Sequence, residues 1–146
     1  MADGTVLSPA NRESEHPDPK HGWTSLFHRS TDDGKSWTET AKILSRPGNI
    51  QSTAQQLADG SLVAFCRPRC RDGKLWRSTS TDGGKTWPVR RDIETGAGPY
   101  GYTAVLRTSD GEIHMGYDCD RRVIKEVVVD EAWFGEPAQL LDYTRP

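Results

Sequence analysis

Two landmarks recur along this chain at one interval. "STDDGKSW" at 30–37 returns as "STDGGKTW" at 80–87, so Asp32 and Asp82 stand fifty residues apart, as do Trp37 and Trp87. "LADGSLVAF" at 57–65 is answered by "TSDGEIHMGY" at 108–117, with Asp59 and Asp110 fifty-one residues apart. A third copy, "MADGTVLSP", opens the sequence. The step from Asp3 to Asp32 exceeds the step from Asp59 to Asp82 by six residues, which fits an enlarged loop around "NRESEHPDPKHG". A period of this size marks one supersecondary unit stacked on copies of itself. The phase divides the 146 residues into units of about 1–46, 47–97 and 98–146 within one domain.

Each unit reads as strands joined by tight turns. Asp-Gly between apolar runs is a strong hairpin signal, because Gly accepts positive φ and Asp tolerates it. "QSTAQQLA" and "SLVAFCR" are therefore expected to be antiparallel neighbours around Asp59–Gly60. A further Asp-Gly at Asp72–Gly73 leads into a third strand, "KLWRSTST", and "VRRDIE" follows as a fourth. Four strands in about fifty residues is the unit of a β-propeller blade. "SLVAF" is apolar on both pleat faces, as expected of a strand sandwiched between blades. Ile113, Met115 and Tyr117 alternate instead, which suits a strand with one wetter side. Only "DEAWFGEPAQLL" suggests a helical turn, and Gly135 and Pro137 limit it.

The Ser-x-Asp-x-Gly-x-x-Trp boxes have structural work to do. The Asp32 and Asp82 carboxylates are placed to accept hydrogen bonds from nearby backbone N–H groups. Gly34 and Gly84 supply the turn angle, Ser30 and Ser80 open the turn, and Trp37 and Trp87 plug it against the blade. Direct chemistry is the lesser reading for these residues.

Several function classes are excluded by composition. A net charge of −2 gives no reason to expect nucleic acid. No apolar run approaches the roughly 18 residues of a membrane span. The first residues lack a basic start and a hydrophobic stretch, so no secretion signal is expected. Cys66, Cys70 and Cys119 are odd in number and lack CxxC spacing, so they read as ordinary thiols. His16, His21, His28 and His114 lack metal-ligand spacing. Neither a metal nor a cofactor is expected.

The boxes resemble the Asp-box, or BNR, repeat of sialidases and related propellers. "YGYTAVLRTSDGEIHMGYDCDRRVIKEVVVD" at 100–130 is similar to the closing segment of bacterial sialidase-like proteins, and "NIQSTAQQLADGSLVAFCR" at 49–67 to another blade of theirs. The resemblance covers nearly the whole chain and implies an all-β fold, part of a six-bladed propeller, with about three four-stranded antiparallel blades. There are departures. The first unit begins at its second strand. Thr103 stands where the family has Pro. The third unit has Asp130 and Trp133 near the place of a box, without its Ser and Gly. The family's early-blade arginine and catalytic aspartate have no counterpart here.

Propeller ligands bind at one end of the central channel. Inner strands starting near Gln51 and Tyr102, and middle strands ending near Arg67 and Asp118, would gather those four residues there. The resemblance implies that Tyr102 is a nucleophile, because sialidases use a tyrosine on the inner strand of a late blade. A neutral phenol suits attack beside an anionic sugar, and it needs a carboxylate to take its proton. Ligand contact and simple packing are the other readings of Tyr102, and Tyr100 replaces it if the register slips by two. Arg67 would help hold a substrate carboxylate through its guanidinium fork, whereas Arg69, Arg71, Arg121 and Arg122 read as solvated bases. Glu13, Glu15 and Asp118 are the acids near enough to orient a tyrosine or donate a proton. The expected function is a sialidase-like glycoside hydrolase of the exo type, retaining, acting on glycans and incomplete as an isolated chain. Its rivals are a non-catalytic carbohydrate-binding or scaffolding propeller and a truncated product without a role of its own. Two copies would make six blades, so a homodimeric ring is a further expectation. The resemblance is compatible with an exported bacterial protein.

Overall fold

A computed structural model describes residues 1–13, 23–45, 48–68, 74–94, 96, 98–135 and the backbone of 139–140. The turn expected at Asp72–Gly73, the bases Arg69 and Arg71, and Glu15, His16, His21 and Cys70 lie outside the described residues. Eleven strands are described: β1 (Val6–Arg12), β2 (Thr24–Ser30), β3 (Thr38–Glu39), β4 (Asn49–Gln56), β5 (Leu62–Pro68), β6 (Trp76–Ser80), β7 (Val89–Asp92), β8 (Tyr100–Arg107), β9 (Ile113–Cys119), β10 (Val123–Val129) and β11 (Gln139–Leu140). The single helical element among the described residues is a short 3-10 turn, Glu131–Gly135. No helix there is long and apolar enough to cross a membrane.

The strands form three sheets in the orders β1-β2-β3, β4-β5-β6-β7-β11 and β8-β9-β10, and every pairing is antiparallel. The middle sheet contains the expected four consecutive strands. The first sheet starts at the strand that follows an Asp-Gly turn, so it has three. The third also has three: past β10 the chain makes its 3-10 turn and β11 pairs with β7 of the middle sheet. The expected fourth strand of that unit is therefore spent on its neighbour.

β5 explains why the sheets stack. Its apolar run is buried on both faces, with Val63 and Ala64 fully inaccessible. Leu62, Ala64 and Cys66 pack with Phe27 of the first sheet, with Ile43, which bridges to Ser25 of β2, and with Trp76 and Trp87. Val63 and Phe65 turn the other way, onto Ile113 and Met115 of β9 and Phe134 of the 3-10 turn. Pleat alternation assigns the two sets to opposite neighbours. Burying each such side chain contributes about 1.5–3 kcal/mol. Cys66 is one of these core residues, and burial pushes its thiol well above the usual range.

The turns repeat as closely as the strands. At Asp59 the carboxylate accepts Ser61 N–H at 2.9 Å and Ser61 Oγ–H at 2.6 Å, and Gly60 follows at φ 87°. Asp3 caps Thr5 N–H in the same way, at 2.9 Å. In the second box Ser80 Oγ donates to Asp82 Oδ1 at 2.7 Å and accepts Gly84 N–H at 2.9 Å. Thr86 donates both its N–H (2.9 Å) and its hydroxyl (2.6 Å) to Asp82. The first box repeats this with Ser30, Asp32, Gly34 and Ser36. The tryptophans differ. Trp87 is buried and meets Phe27 of the first sheet at 5.2 Å between ring centroids. Trp37, expected to plug its hairpin, is instead 44 % exposed. Its indole N–H closes on Gly34 O at 2.9 Å, and no sheet among the described residues covers it.

Both box carboxyls sit near pKa 2. The Ser36 hydroxyl and N–H, with Ser30, hold Asp32 there. At Asp82 desolvation pushes upward, and the bonds from Thr86 and Ser80 outweigh it. A depressed folded-state pKa gives stability that is present above the unfolded value and lost as pH falls toward the folded one. Stability should hold above about pH 4 and decline toward pH 2, and an Asp32→Asn/Asp82→Asn double variant should flatten that decline in acid melting curves. Asp82→Ala should cost about 1–3 kcal/mol, since it strands the Thr86 and Ser80 donors; an unchanged melting temperature would remove the structural role of the box.

Candidate functional site

The inner edges of the second and third sheets share one irregularity. Pairing of β4 with β5 runs regularly to Ile50 opposite Arg67, then resumes at Thr53 opposite Phe65. Pairing of β8 with β9 breaks between Gly101 opposite Asp118 and Ala104 opposite Gly116. Two residues oppose one in each case, which is a β-bulge. Gln51 and Tyr102 lead the two bulges, with φ of 51° and 52°. A non-glycine residue in this left-handed region costs about 1–3 kcal/mol unless its surroundings hold it.

The surroundings do hold these two. Asn11 Oδ1 accepts Gln51 N–H at 2.7 Å, so β1 props the bulge of the next sheet. Arg67 Nη1 donates to Gln51 Oε1 at 2.5 Å, and its guanidinium lies 5.1 Å from the Tyr102 ring centroid. Thr103 Oγ1 donates to Gln51 O at 3.3 Å and ties the two bulges together. A Cβ on Gly101 would sit 2.8 Å from Asp118 Oδ1 and 3.0 Å from Arg67 Nε, so only glycine lets those side chains converge over this backbone. Asp118 is buried and its Oδ2 accepts Arg121 N–H at 2.9 Å.

The structure thus brings Gln51, Arg67, Tyr102 and Asp118 together where the strand-end argument places them. Tyr102 is 61 % exposed, and its hydroxyl makes no hydrogen bond among the described residues. Tyr100 has the packing role: it is buried, crosses Tyr117 edge-to-face at 6.1 Å and donates to Gly96 O at 3.1 Å. Behind it, Tyr117 Oη and Lys125 Nζ both donate to Glu94 Oε1 at 2.7 Å. Burial works to raise the Glu94 carboxyl, but Lys125 and Tyr117 bring it below its usual range. Burial, then Glu94, drives the Tyr117 phenol well above its usual range. Arg121 and Arg122 are exposed at the β9–β10 turn, and Glu13 is exposed beyond β1. Among the described residues no group of three or more His, Cys, Asp or Glu side chains is arranged to hold a metal ion.

Tyr102 divides two open recesses of about 480 Å³ each. One is lined by Asn11, Gln51, Ser52 and Thr103, the other by Asp118, Arg121, Arg122 and Ile124. Asn11, Ser52 and Thr103 were not among the expected site residues, although the phase contained a signal for Asn11. Asp59 follows Asp3 by fifty-six residues, and Arg67 follows Asn11 by the same step. Asn11, Arg67 and Asp118 therefore hold equivalent places, and the first two each support the bulge residue of the following unit.

Residues 1–95 match the BNR repeat-like domain family. The chain belongs to that family. Twenty chains of solved structures match it. A protein of unknown function from Dyadobacter fermentans DSM 18053 superposes with a TM-score of 0.75 at 18 % identity, over 97 % of this chain and 40 % of that one. An ulvan lyase of polysaccharide lyase family PL25, bound to -[GlcA(1-4)Rha3S]-, gives 0.59 at 15 % identity, over 80 % and 30 %. The alpha-L-arabinanase of Penicillium chrysogenum, complexed with arabinobiose, gives 0.59 at 18 % identity, over 98 % and 51 %. No curated protein matches the chain. These likenesses establish the fold of this BNR chain as part of a β-propeller. The chain spans between 30 % and 51 % of the length of the structures named.

The left-handed bulge makes its own prediction. Tyr102→Gly should melt at the same temperature as the parent or higher. Relief of about 1–3 kcal/mol offsets a lost cation–π contact of about 0.5–1 kcal/mol and the roughly 0.5–1 kcal/mol of added chain entropy. A drop of several degrees would show that the ring holds the fold together.

Proposed function

We propose that this chain supplies part of a glycan-binding site of the sialidase-like type, in a glycoside hydrolase that acts by retention. The observation that carries the reading is the meeting of Arg67, Gln51, Tyr102 and Asp118 at two strained bulges. Backbone strain of this kind persists where the surrounding structure over-determines it, and such places concentrate at ligand sites. The roles follow the resemblance: Tyr102 attacks the anomeric carbon as the glycosidic C–O bond breaks, its phenolic proton passing to a carboxylate and the leaving oxygen taking a proton from a general acid, and Arg67 presents the rest of its fork to an anionic group. Asp118, Arg121 and Arg122 edge the same face. Two solved structures similar in fold act on glycans by their names, an ulvan lyase and an arabinanase, which favours carbohydrate over other ligands. Units of about 1–46, 47–97 and 98–146 form one propeller segment in this reading, and a second copy of the chain completing the ring belongs to it as well.

A second reading has an observation of its own. Among the described residues no carboxylate bonds the Tyr102 hydroxyl, although a tyrosine nucleophile needs a base. A site that binds glycans without cleaving them needs none. Turnover of a fluorogenic N-acetylneuraminide by this chain, and by Tyr102→Phe, separates the two. The hydrolase reading expects release of the fluorophore and a loss of at least about 100-fold in the variant. Turnover kept by Tyr102→Phe would remove the tyrosine mechanism, and binding without turnover would favour the non-catalytic site. Sedimentation or size-exclusion mass tests the paired ring, which a strict monomer excludes.

A further inference from the structure

The two end faces of the stack are open, and they differ in kind. On β9, Ile113, Met115 and Tyr117 face the second sheet, so His114 and Gly116 face away from it. The strand register sets Leu106 and Val128 beside His114, Glu126 beside Gly116, and Ile124 beside Asp118. Leu106, Ile124 and Val128 are exposed there, three large apolar side chains on one sheet face. The repeat shows what covers this face in the other units. Val63 follows Leu7 by fifty-six residues and His114 follows Val63 by fifty-one, so the three hold equivalent places. By the same steps Pro9, Phe65 and Gly116 are equivalent, and their cross-strand partners are Phe27, Arg77 and Glu126. Trp87 of the second unit covers Phe27, and Phe134 of the third meets Arg77 at 5.1 Å. Glu126, at the same position, is exposed and pairs with His114 Nδ1 at 2.9 Å. At the opposite end of the stack Trp37 is the box aromatic that lies open, and Val6 is exposed where its equivalent Leu62 is buried. One face lacks an aromatic cover and the other has one to spare.

Charge points the same way. Glu126 and Glu112 lie 2.9 and 3.7 Å from the His114 ring nitrogens, so this face keeps an acidic excess even with the imidazole charged. Lys35 is exposed in the box turn of Trp37. In the six-sheet ring that the resemblance implies, three sheets turn through half a circle. A head-to-tail contact between two copies is then made twice, and the ring closes. We propose that the outer face of the third sheet docks the first sheet of a second copy of this chain, head to tail, with that copy's Trp37 over the His114–Glu126 pair and its Val6 beside Leu106 and Val128. The inference rests on the paired ring of the reading above and adds to it which faces meet. Ile124 stands both on this face and in the recess beside Tyr102, so the second copy walls the candidate site.

The test is sedimentation equilibrium of the whole chain over a range of concentrations. Val128→Lys and Trp37→Lys each put a charge on one of the two faces, at a position that is exposed in the single chain. Melting curves check that the variants fold, and Ile124→Lys replaces Val128→Lys if that one does not. The parent should dimerise, and each variant alone should show a dissociation constant raised at least about 10-fold. An equimolar mixture of the two should associate more tightly than either variant with itself, because it keeps one seam with both faces intact. In the ¹⁵N-labelled parent the Trp37 indole N–H signal should move on dilution. A parent that stays monomeric at the concentration of that sample would overturn the docking. So would a folded Trp37→Lys chain that dimerises like the parent, since it marks a contact between like faces, and so would a mixture no tighter than its parts. Binding of N-acetylneuraminic acid is read on the same samples: a monomer that binds it leaves the glycan reading standing, and a dimer that does not leaves the docking standing.

Discussion

Everything in this molecule depends on one strand being apolar on both sides. β5 cannot satisfy Leu62, Ala64 and Cys66 against one sheet and Val63 and Phe65 against another unless sheets stand on both its faces. Dry burial on two faces is what converts three small antiparallel sheets into a stack. The turns follow from the same demand. Short strands at close spacing leave many chain reversals, and each needs its backbone donors answered locally. The Asp-Gly corners and the two boxes do this with carboxylates and hydroxyls that sit two to four residues from the groups they bond.

The stack also sets where function sits. Regular pairing would alternate the side chains of β4 and β8 between the two neighbouring sheets. A bulge breaks that alternation and turns Gln51 and Tyr102 out of the packing, at the same place in successive units. The left-handed backbone at each is tolerated because a side chain from the neighbouring unit braces it: Asn11 for one, Arg67 for the other. Strain and bracing are thus distributed across sheet boundaries, and the site is a product of stacking as much as of any single sheet.

How much of this was legible in the sequence follows from what kind of signal each feature leaves. Asp-Gly corners, boxes and the run from Leu62 to Phe65 are local patterns with local causes, and they read directly. The meeting of Gln51, Arg67, Tyr102 and Asp118 was legible too, because equivalent strand ends must share a face once the period is known. Bulges leave no such trace: nothing in "NIQSTA" or "YGYTAV" distinguishes a glutamine or tyrosine at positive φ from one at negative φ. The exposure of Trp37 escaped for a different reason. Its box is as complete as that of Trp87, but the indole is buried only if another sheet lies against it, and that is a property of neighbours. The role of Ser36 and Thr86 went unread, although a hydroxyl residue precedes the tryptophan in both boxes.

The segment after β10 has a consequence for how the molecule comes apart. Trp133 and Phe134 flank the wholly buried Arg77 guanidinium at 5.2 and 5.1 Å, and Arg77 Nη2 donates to Phe134 O at 2.9 Å. Arg91 also lies over the Trp133 ring, at 4.2 Å, and donates to its carbonyl at 2.7 Å. Glu131 reaches Ala58 N–H and Arg107, and β11 closes on β7. The third sheet is thereby fastened to the second at its outer rim as well as along its inner strands. Neither can open without exposing the other's aromatic residues, so the two open as one cooperative unit.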